Sequence, residues 1–262
     1  MMGNIYDPLC ADAIRTRLDT PERFTLDVRD HADSTNSLLK QMTQYDEGYI
    51  LIADSQSAGR GRLGRSFYSP PGSGVYFSVL LKPKTPADNG FITAAAAVAA
   101  CDAISSVFGA QAGIKWVNDI YTDGRKVCGI LAESALSSCS DIPLYVILGV
   151  GINVYMPEGG FPAGISEIAG ALSDKPERDG RNSLISFFIN RFFELYRGFD
   201  KNVILEAYRE REIVTGKKIT VLSGGNRREA LAVGIDGSCG LIVEYPDGSA
   251  ETLVSGEVSI IL

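Results

Sequence analysis

The sequence predicts an α+β protein: a mixed, largely antiparallel sheet with flanking helices, followed by a small C-terminal β-barrel. Three observations carry that expectation. Apolar runs of strand length succeed one another through short turns, which suits antiparallel pairing and disfavours a doubly wound parallel sheet. Asp123-Gly124 stands between two such runs, the signature of a tight hairpin. After Thr215-Gly216, five short strand-like runs follow within fewer than fifty residues.

Taken in order, the first thirty residues read as a lead-in strand and helix. Asp33-Ser34-Thr35-Asn36 precedes Leu38-Leu39, so this polar quartet should cap a short helix. Tyr49–Ala53 reads as a buried strand, Ser55–Arg65 as a polar loop and Val75–Leu81 as a second strand. Phe91–Phe108 is Ala-rich with apolar residues at helical spacing, which predicts a core helix. Ile114–Tyr121 and Lys126–Ala132 form the expected hairpin, and Tyr145–Val154 a buried strand interrupted by two glycines. Ser183–Tyr208 predicts one or two amphipathic helices, with Phe187, Phe188, Phe192, Phe193 and Leu195 on the core side. The barrel strands fall at 218–222, 229–235, 241–245, 251–254 and 257–261, separated by Gly224-Gly225, Asp236-Gly237 and Asp247-Gly248. The boundary near Val214 divides the chain into residues 1–213 and 214–262.

Composition narrows the chemistry. The chain has 262 residues, a formal net charge of −7 and a single histidine, His31. An acidic surface argues against a dedicated nucleic-acid binder, whose affinity comes from neutralising phosphates. One imidazole excludes zinc sites built on two or three histidines and leaves any Ser-His or Cys-His mechanism only His31. Cysteines 10, 101, 128, 139 and 239 are odd in number and form no C-x-x-C pair, as expected of reduced thiols in the cytoplasm. No apolar run is expected to reach the length of a membrane span, and no signal peptide is read at the N-terminus.

Four segments carry chemistry. Gly59-Arg60-Gly61-Arg62-Leu63-Gly64-Arg65 holds three arginines and no acid. Glycines let backbone N–H groups approach an anion, and guanidinium forks suit phosphate and carboxylate. Lys115-Trp116-Val117-Asn118-Asp119 alternates as a strand would, with Lys115, Val117 and Asp119 on one side and Trp116 and Asn118 on the other. Polar groups inside such a strand need partners. In Lys126-Val127-Cys128-Gly129-Ile130-Leu131 and Gly149-Val150-Gly151-Ile152-Asn153, glycines within strands point to close approach of a ligand or another backbone.

In this order, the segments DSTN, QSAGRGRLGR, KWVND, KVCGIL and GVGIN resemble the biotin protein ligases, and Gly256-Glu257-Val258-Ser259 resembles that family's closing strand. The resemblance implies a class II aminoacyl-tRNA synthetase-like catalytic core and an SH3-like C-terminal barrel. It implies two reactions. The biotin carboxylate attacks the α-phosphate of ATP to give biotinyl-5′-AMP and pyrophosphate. A lysine of a biotin carboxyl carrier protein, or of the carrier domain of a carboxylase, then takes the biotinyl group. The nucleophile of the first step is already an anion, so a chain with one histidine is no obstacle. A lipoate or octanoate ligase or transferase is the nearest alternative, disfavoured by the arginine-glycine loop.

The same resemblance places biotin against Ser34, Thr35, Asn36, Gln56, Gly59, Arg60, Gly61, Arg62, Tyr76, Lys126 and Gly129. It places the nucleotide against Arg62, Arg65, Phe67, Asn118, Lys126 and Asn153. Lys126, Arg60 and Arg62 are the implied catalytic residues, with Lys126 bridging the biotin carboxylate and α-phosphate. The arginine loop is expected to close over the adenylate. Asp119 is a candidate for orienting Lys115 or a metal, and Mg²⁺ is expected with ATP. Phe67 and Val117 stand where the family usually has Trp and Pro. With about thirty residues before DSTN, the sequence is expected to lack the family's DNA-binding domain. The expected assembly is a monomer or homodimer in the cytoplasm, with neither nucleic acid nor membrane as partner.

Overall fold

The computed structural model describes residues 7–83, 89–137, 140–223, 226–254 and 256–260. Cys139, Ile261 and the Gly224-Gly225 turn lie outside them. The lead-in helix and strand are α1 (Ala11–Arg15) and β1 (Thr25–Arg29). There follow α2 (Thr35–Leu39), β2 (Tyr49–Ala53), β3 (Gly74–Leu81) and α3 (Asn89–Phe108). The hairpin region contains β4 (Gly113–Lys115), β5 (Asp119–Thr122), β6 (Arg125–Ser137) and β7 (Ser140–Asn153). Helices α4 (Gly180–Gly198) and α5 (Lys201–Arg211) precede β8 (Lys218–Ser223), β9 (Asn226–Ile235), β10 (Leu241–Glu244), β11 (Ala250–Leu253) and β12 (Glu257–Ile260).

Strands β1 to β7 form one sheet in the order β1-β2-β3-β7-β6-β5-β4. Only β1 and β2 run parallel; every other pairing is antiparallel. The expected mixed, largely antiparallel sheet is therefore present. Its alternation assigns the two faces. Val75, Phe77, Val79 and Leu81 of β3, with Val146, Leu148, Val150 and Ile152 of β7, join the main core with α3 and α4. Ala94–Ala100 of α3 are all buried in that core, and their small side chains allow close helix packing. Phe188, Phe192, Phe193 and Leu195 are buried as expected, whereas Phe187 is 37% exposed and lies off the apolar stripe. Asp102 of α3 binds Arg191 at 2.9 Å and Arg211 at 2.8 Å, tying α3 to α4 and α5.

The alternate residues point to the other face. There a small cluster of Leu39, Tyr49, Leu51, Leu80 and Ile147 holds α2 down. Beside it, the positions that would continue the layer are Ser78, Gly129, Gly149 and Gly151, which leaves a recess instead of a core. The two β7 glycines do not interrupt the strand, which runs continuously through them.

Two expectations fail. Residues 114–121 are not one strand: β4 ends at Lys115, residues 116–118 form a turn, and β5 returns with Lys115 opposite Asp119. The alternation assigned to Lys115–Asp119 therefore does not exist, because both flanks look strand-like and the short turn between them carries no glycine. The peptide bond between Trp116 and Val117 is cis. Second, α3 is long and apolar enough by composition to cross a membrane. Most of it is buried within the protein, which makes α3 the core helix predicted for this segment.

The C-terminal strands form a five-stranded antiparallel sheet, β11-β10-β9-β8-β12, where five were expected. Among the described residues its edge strands β11 and β12 are not paired with each other, so the small barrel expected here is not confirmed. Trp116 bridges the two units: its indole N–H donates to the Cys239 carbonyl at 3.0 Å. Trp116→Phe loses the bond and part of the buried ring system, and should destabilise the protein by about 1–3 kcal/mol in urea denaturation. An unchanged midpoint would show that this bond does not secure the turn.

Candidate active site

The recess opens as a cleft of about 960 Å³, mouth included, between the sheet, the start of α2, the arginine loop and the C-terminal unit. Its wall includes Ser34, Thr35, Asn36, Gln56, Arg60, Gly61, Arg62, Arg65, Phe67, Asn118, Lys126 and Gly129. Twelve of the residues expected at the site thus come together. Gly59, Tyr76 and Asn153 do not line it. Gly59 packs against Phe67 and Ser69, where a Cβ would meet the Phe67 carbonyl oxygen at 2.5 Å. Tyr76 is buried with its hydroxyl donating to the Pro70 carbonyl at 3.1 Å, and burial pushes its phenol well above the usual value. The Asn153 amide donates to the Gly170 carbonyl at 3.1 Å.

Ser34 caps α2 as predicted, its hydroxyl accepting from the Ser37 N–H at 3.4 Å. This fixes the polar end of the cleft. The Thr35 N–H donates to Gln56 Oε1 at 2.9 Å, and Gln56 Nε2 donates to Ser69 Oγ at 2.9 Å. Ser78, fully buried on β3, lies 2.8 Å from Thr35 Oγ1 and 2.6 Å from Asn36 Oδ1. Asn36 Nδ2 donates to Glu133 Oε2 at 2.9 Å. Glu133 also holds Lys40 at 2.6 Å and Arg60 at 3.2 Å. Burial alone would raise the Glu133 carboxyl, but hydrogen bonds from Lys40 and Asn36 and the charges of Lys40 and Arg60 hold it below its usual value.

The arginine loop is a small hairpin. Phe67 N–H donates to the Gly59 carbonyl at 2.8 Å and Gly61 N–H to the Arg65 carbonyl at 2.7 Å. Leu63 and Gly64 take positive φ at its tip, and Leu63 is 74% exposed there. Arg62 reaches across to Asn118 Oδ1 at 2.9 Å, while Asn118 Nδ2 donates to the Ile130 carbonyl at 2.7 Å. The polar pair at 118–119 is thus partnered, though in a turn and a short strand instead of a continuous one. Asp119 pairs with Lys126 at 2.6 Å, not with Lys115 as expected. Lys126 sits beside a bulge: Ile120 and Tyr121 of β5 oppose Cys128 and Lys126, leaving Val127 unpaired. Bulges re-aim side chains, and the Lys126 backbone is also pinned to Ile168 and Gly170.

The strand glycines were expected to admit a ligand or another backbone, with Gly129 assigned to biotin, but the structure puts side chains against them. A Cβ on Gly149 would stand 2.1 Å from Asn36 Oδ1. One on Gly151 would meet the Phe67 ring at 2.7 Å and one on Gly129 would meet it at 3.2 Å. Gly129 and Gly151 are cross-strand partners, so together they form a flat floor on which Phe67 lies. The close approach predicted at these glycines is made by side chains of the protein itself. Trp116, Leu131 and, from the C-terminal unit, Gly256 and Val258 also line the cleft. The last two belong to the closing-strand motif at 256–259, but nothing local placed that motif at the cleft, since only tertiary packing brings it here.

Among the described residues, no group of three or more His, Cys, Asp or Glu side chains could hold a metal. Asp119 is the one acid on the cleft wall among them, and it is paired with Lys126.

Two family models match the chain: the biotin/lipoate A/B protein ligase family over residues 28–153 and the biotin protein ligase C-terminal domain over 214–260. The bifunctional ligase/repressor BirA of Bacillus subtilis is 35% identical over 209 residues, covering 77% of this chain. The chain spans 63% of that relative's own length. The biotin–[acetyl-CoA-carboxylase] ligase of Mycobacterium tuberculosis is 30% identical over 224 residues, covering 80% of each chain. Among solved structures, the biotin protein ligase of Aquifex aeolicus in complex with biotin and ATP superposes with a TM-score of 0.74 at 26% identity, covering 90% of this chain and 98% of that one. With both family models falling on the two structural units and the arginine loop, the KWVND turn and Lys126 gathered at one cleft, the chain belongs to the biotin/lipoate A/B protein ligase family, among its biotin protein ligases.

Proposed function

We propose that the cleft activates biotin with ATP to biotinyl-5′-AMP and transfers the biotinyl group to a lysine of a biotin carboxyl carrier protein or domain. The observation that carries this reading is the layout of the wall. The neutral hydrogen-bonding groups of Ser34, Thr35 and Asn36 come from the start of α2, with Arg60 nearby on Glu133. The cations Arg62 and Lys126 contact Asn118 and Asp119 at the KWVND turn. A ureido ring fits the first, and a carboxylate joined to a phosphate fits the second.

In the first step a biotin carboxylate oxygen bonds to the α-phosphorus and pyrophosphate leaves. Lys126 and the two arginines offset the charge that accumulates on the phosphoryl oxygens. Lys126 exchanges its Asp119 partner for the substrate anion. In the second step the carrier amine attacks the carbonyl of the mixed anhydride and AMP leaves. The arginine hairpin, residues 59–67, shields that anhydride from water until the carrier arrives. Phe67 lies at the floor beneath the nucleotide side, and Arg65 and Asn118 complete that end; Asn153, held by Gly170 off the wall, takes no part in it. The wall does not fit a resident magnesium site, so Mg²⁺ enters as the MgATP substrate.

In this reading residues 1–213 form the catalytic unit, with the fold of a class II aminoacyl-tRNA synthetase core. Residues 214–262 form an SH3-like unit. The enzyme acts in the cytoplasm, as monomer or homodimer, without nucleic acid. The test is exchange of labelled pyrophosphate into ATP. Exchange dependent on biotin supports the reading. Exchange with lipoate or octanoate but not with biotin would overturn it.

A further inference from the structure

The hairpin of residues 59–67 carries two large apolar side chains, Leu63 and Phe67. Leu63 is exposed at the tip. The tip reaches Glu133 through Arg60, at 3.2 Å, and Asn118 through Arg62, at 2.9 Å. Arg60 is exposed, so water screens its ion pair. The apolar hold on the sheet therefore falls to Phe67.

The Phe67 ring spans two strands. A Cβ on Gly151 of β7 would meet its Cε1, Cζ and Cδ1 at 2.7, 2.9 and 3.0 Å. One on Gly129 of β6 would meet the opposite edge, Cε2 and Cδ2, at 3.2 and 3.4 Å. Neither glycine takes a positive φ, so the ring and not the backbone calls for glycine at both positions. Glycine inside a strand weakens it, and here the seated ring offsets that cost. The ring also marks the neck of the hairpin. Phe67 N–H donates to the Gly59 carbonyl at 2.8 Å, and the Phe67 carbonyl accepts from Ser69 Oγ at 3.0 Å. Residues 60–66 extend beyond that neck.

We propose that Phe67 is a positioning residue: its ring, seated in the notch of Gly129 and Gly151, fastens the arginine hairpin to the sheet and holds Arg60 and Arg62 over the cleft. Retention of the adenylate by this seating rests on the biotin reading; the seating itself does not.

The experiment is tryptic cleavage of the full chain without ligand, followed by mass spectrometry at Arg60, Arg62 and Arg65 and at sites elsewhere. Cleavage of a folded protein tracks the population of the opened segment. Gly151→Ala and Phe67→Ala should each speed hairpin cleavage about tenfold, the effect of losing one aromatic packing contact, with the other sites unchanged. Gly129→Ala should do less, because its Cβ stands farther from the ring. In the Phe67→Ala background Gly151→Ala should add less than about twofold, since the new methyl has no ring to displace. Gly129→Ala, alone and with Phe67→Ala, decides the matter if Gly151→Ala does not fold. Unchanged hairpin cleavage, equal acceleration at all sites, or the same factor in both backgrounds overturns the seating. With biotin and ATP, release of biotinyl-5′-AMP into solution should rise in the same order. Faster cleavage without faster release overturns the link to retention. A wild type that makes no adenylate from biotin overturns the biotin reading and leaves the tryptic result to decide the seating.

Discussion

Lys126→Ala should lower the rate of biotinyl-adenylate formation by about 10²–10³-fold, the usual effect of removing one group that stabilises charge in the transition state. The fold should survive the change. The Lys126 and Asp119 side chains are 30% and 24% exposed, so water reaches both partners of the pair. A solvent-screened pair of this kind contributes no more than about 1 kcal/mol. Its backbone, which the Ile168 and Gly170 contacts hold in place, is untouched by the substitution. The check is pyrophosphate exchange together with a denaturation curve. A wild-type exchange rate in the variant would remove Lys126 from the chemistry.

Gly149→Ala should be the most damaging single methyl group in the cleft. The new Cβ would stand 2.1 Å from Asn36 Oδ1 and 2.8 Å from its Cγ, so the Asn36 side chain must leave. Its bonds to Ser78 and Glu133 go with it, which leaves the buried Ser78 hydroxyl only Thr35 as a partner. Mispairing buried polar groups costs about 1–3 kcal/mol, and forcing a methyl into a packed site adds a similar amount. The expected result is a loss of about 2–4 kcal/mol of stability in urea denaturation, together with weakened biotin binding. Gly151→Ala meets the Phe67 ring at 2.7 Å instead, and that ring belongs to an exposed hairpin that can swing away. Its stability should change less. Equal losses from the two substitutions would contradict the role given to Asn36.

The glycines show how much was legible in the sequence and where reading stopped. In β3, β6 and β7 the period-two pattern is real: large apolar side chains on one face, and Ser78, Gly129, Gly149 and Gly151 on the other. Local sequence therefore marks both the core and the recess. It does not say what lies in the recess, because Phe67 and Asn36 arrive from segments more than sixty residues away in the chain. The Asp123-Gly124 hairpin was found because its turn chemistry is local. The turn at Trp116–Asn118 was missed because no glycine marks it and its place is set by distant bonds: Trp116 to Cys239, Tyr208 to the Val117 carbonyl, and Arg62 to Asn118. Asp119 was assigned to Lys115 by adjacency along a strand that does not exist; the antiparallel return puts it beside Lys126. Gly256 and Val258 reach the cleft by docking of the C-terminal unit, a tertiary event with no local signature.

The account's central claim is that one cleft holds biotin at its α2 end and the phosphoryl group against the cations, beneath the hairpin of residues 59–67. A crystal structure of the protein grown with biotin and ATP tests it most directly. The account predicts biotinyl-5′-AMP in the cleft, its ring against Ser34, Thr35 and Gln56. Its phosphate should lie within hydrogen-bond distance of Lys126 and of Arg60 or Arg62, with the hairpin closed over it. Ligand bound away from Lys126, or in the opposite orientation with the adenine at the α2 end, would contradict the claim.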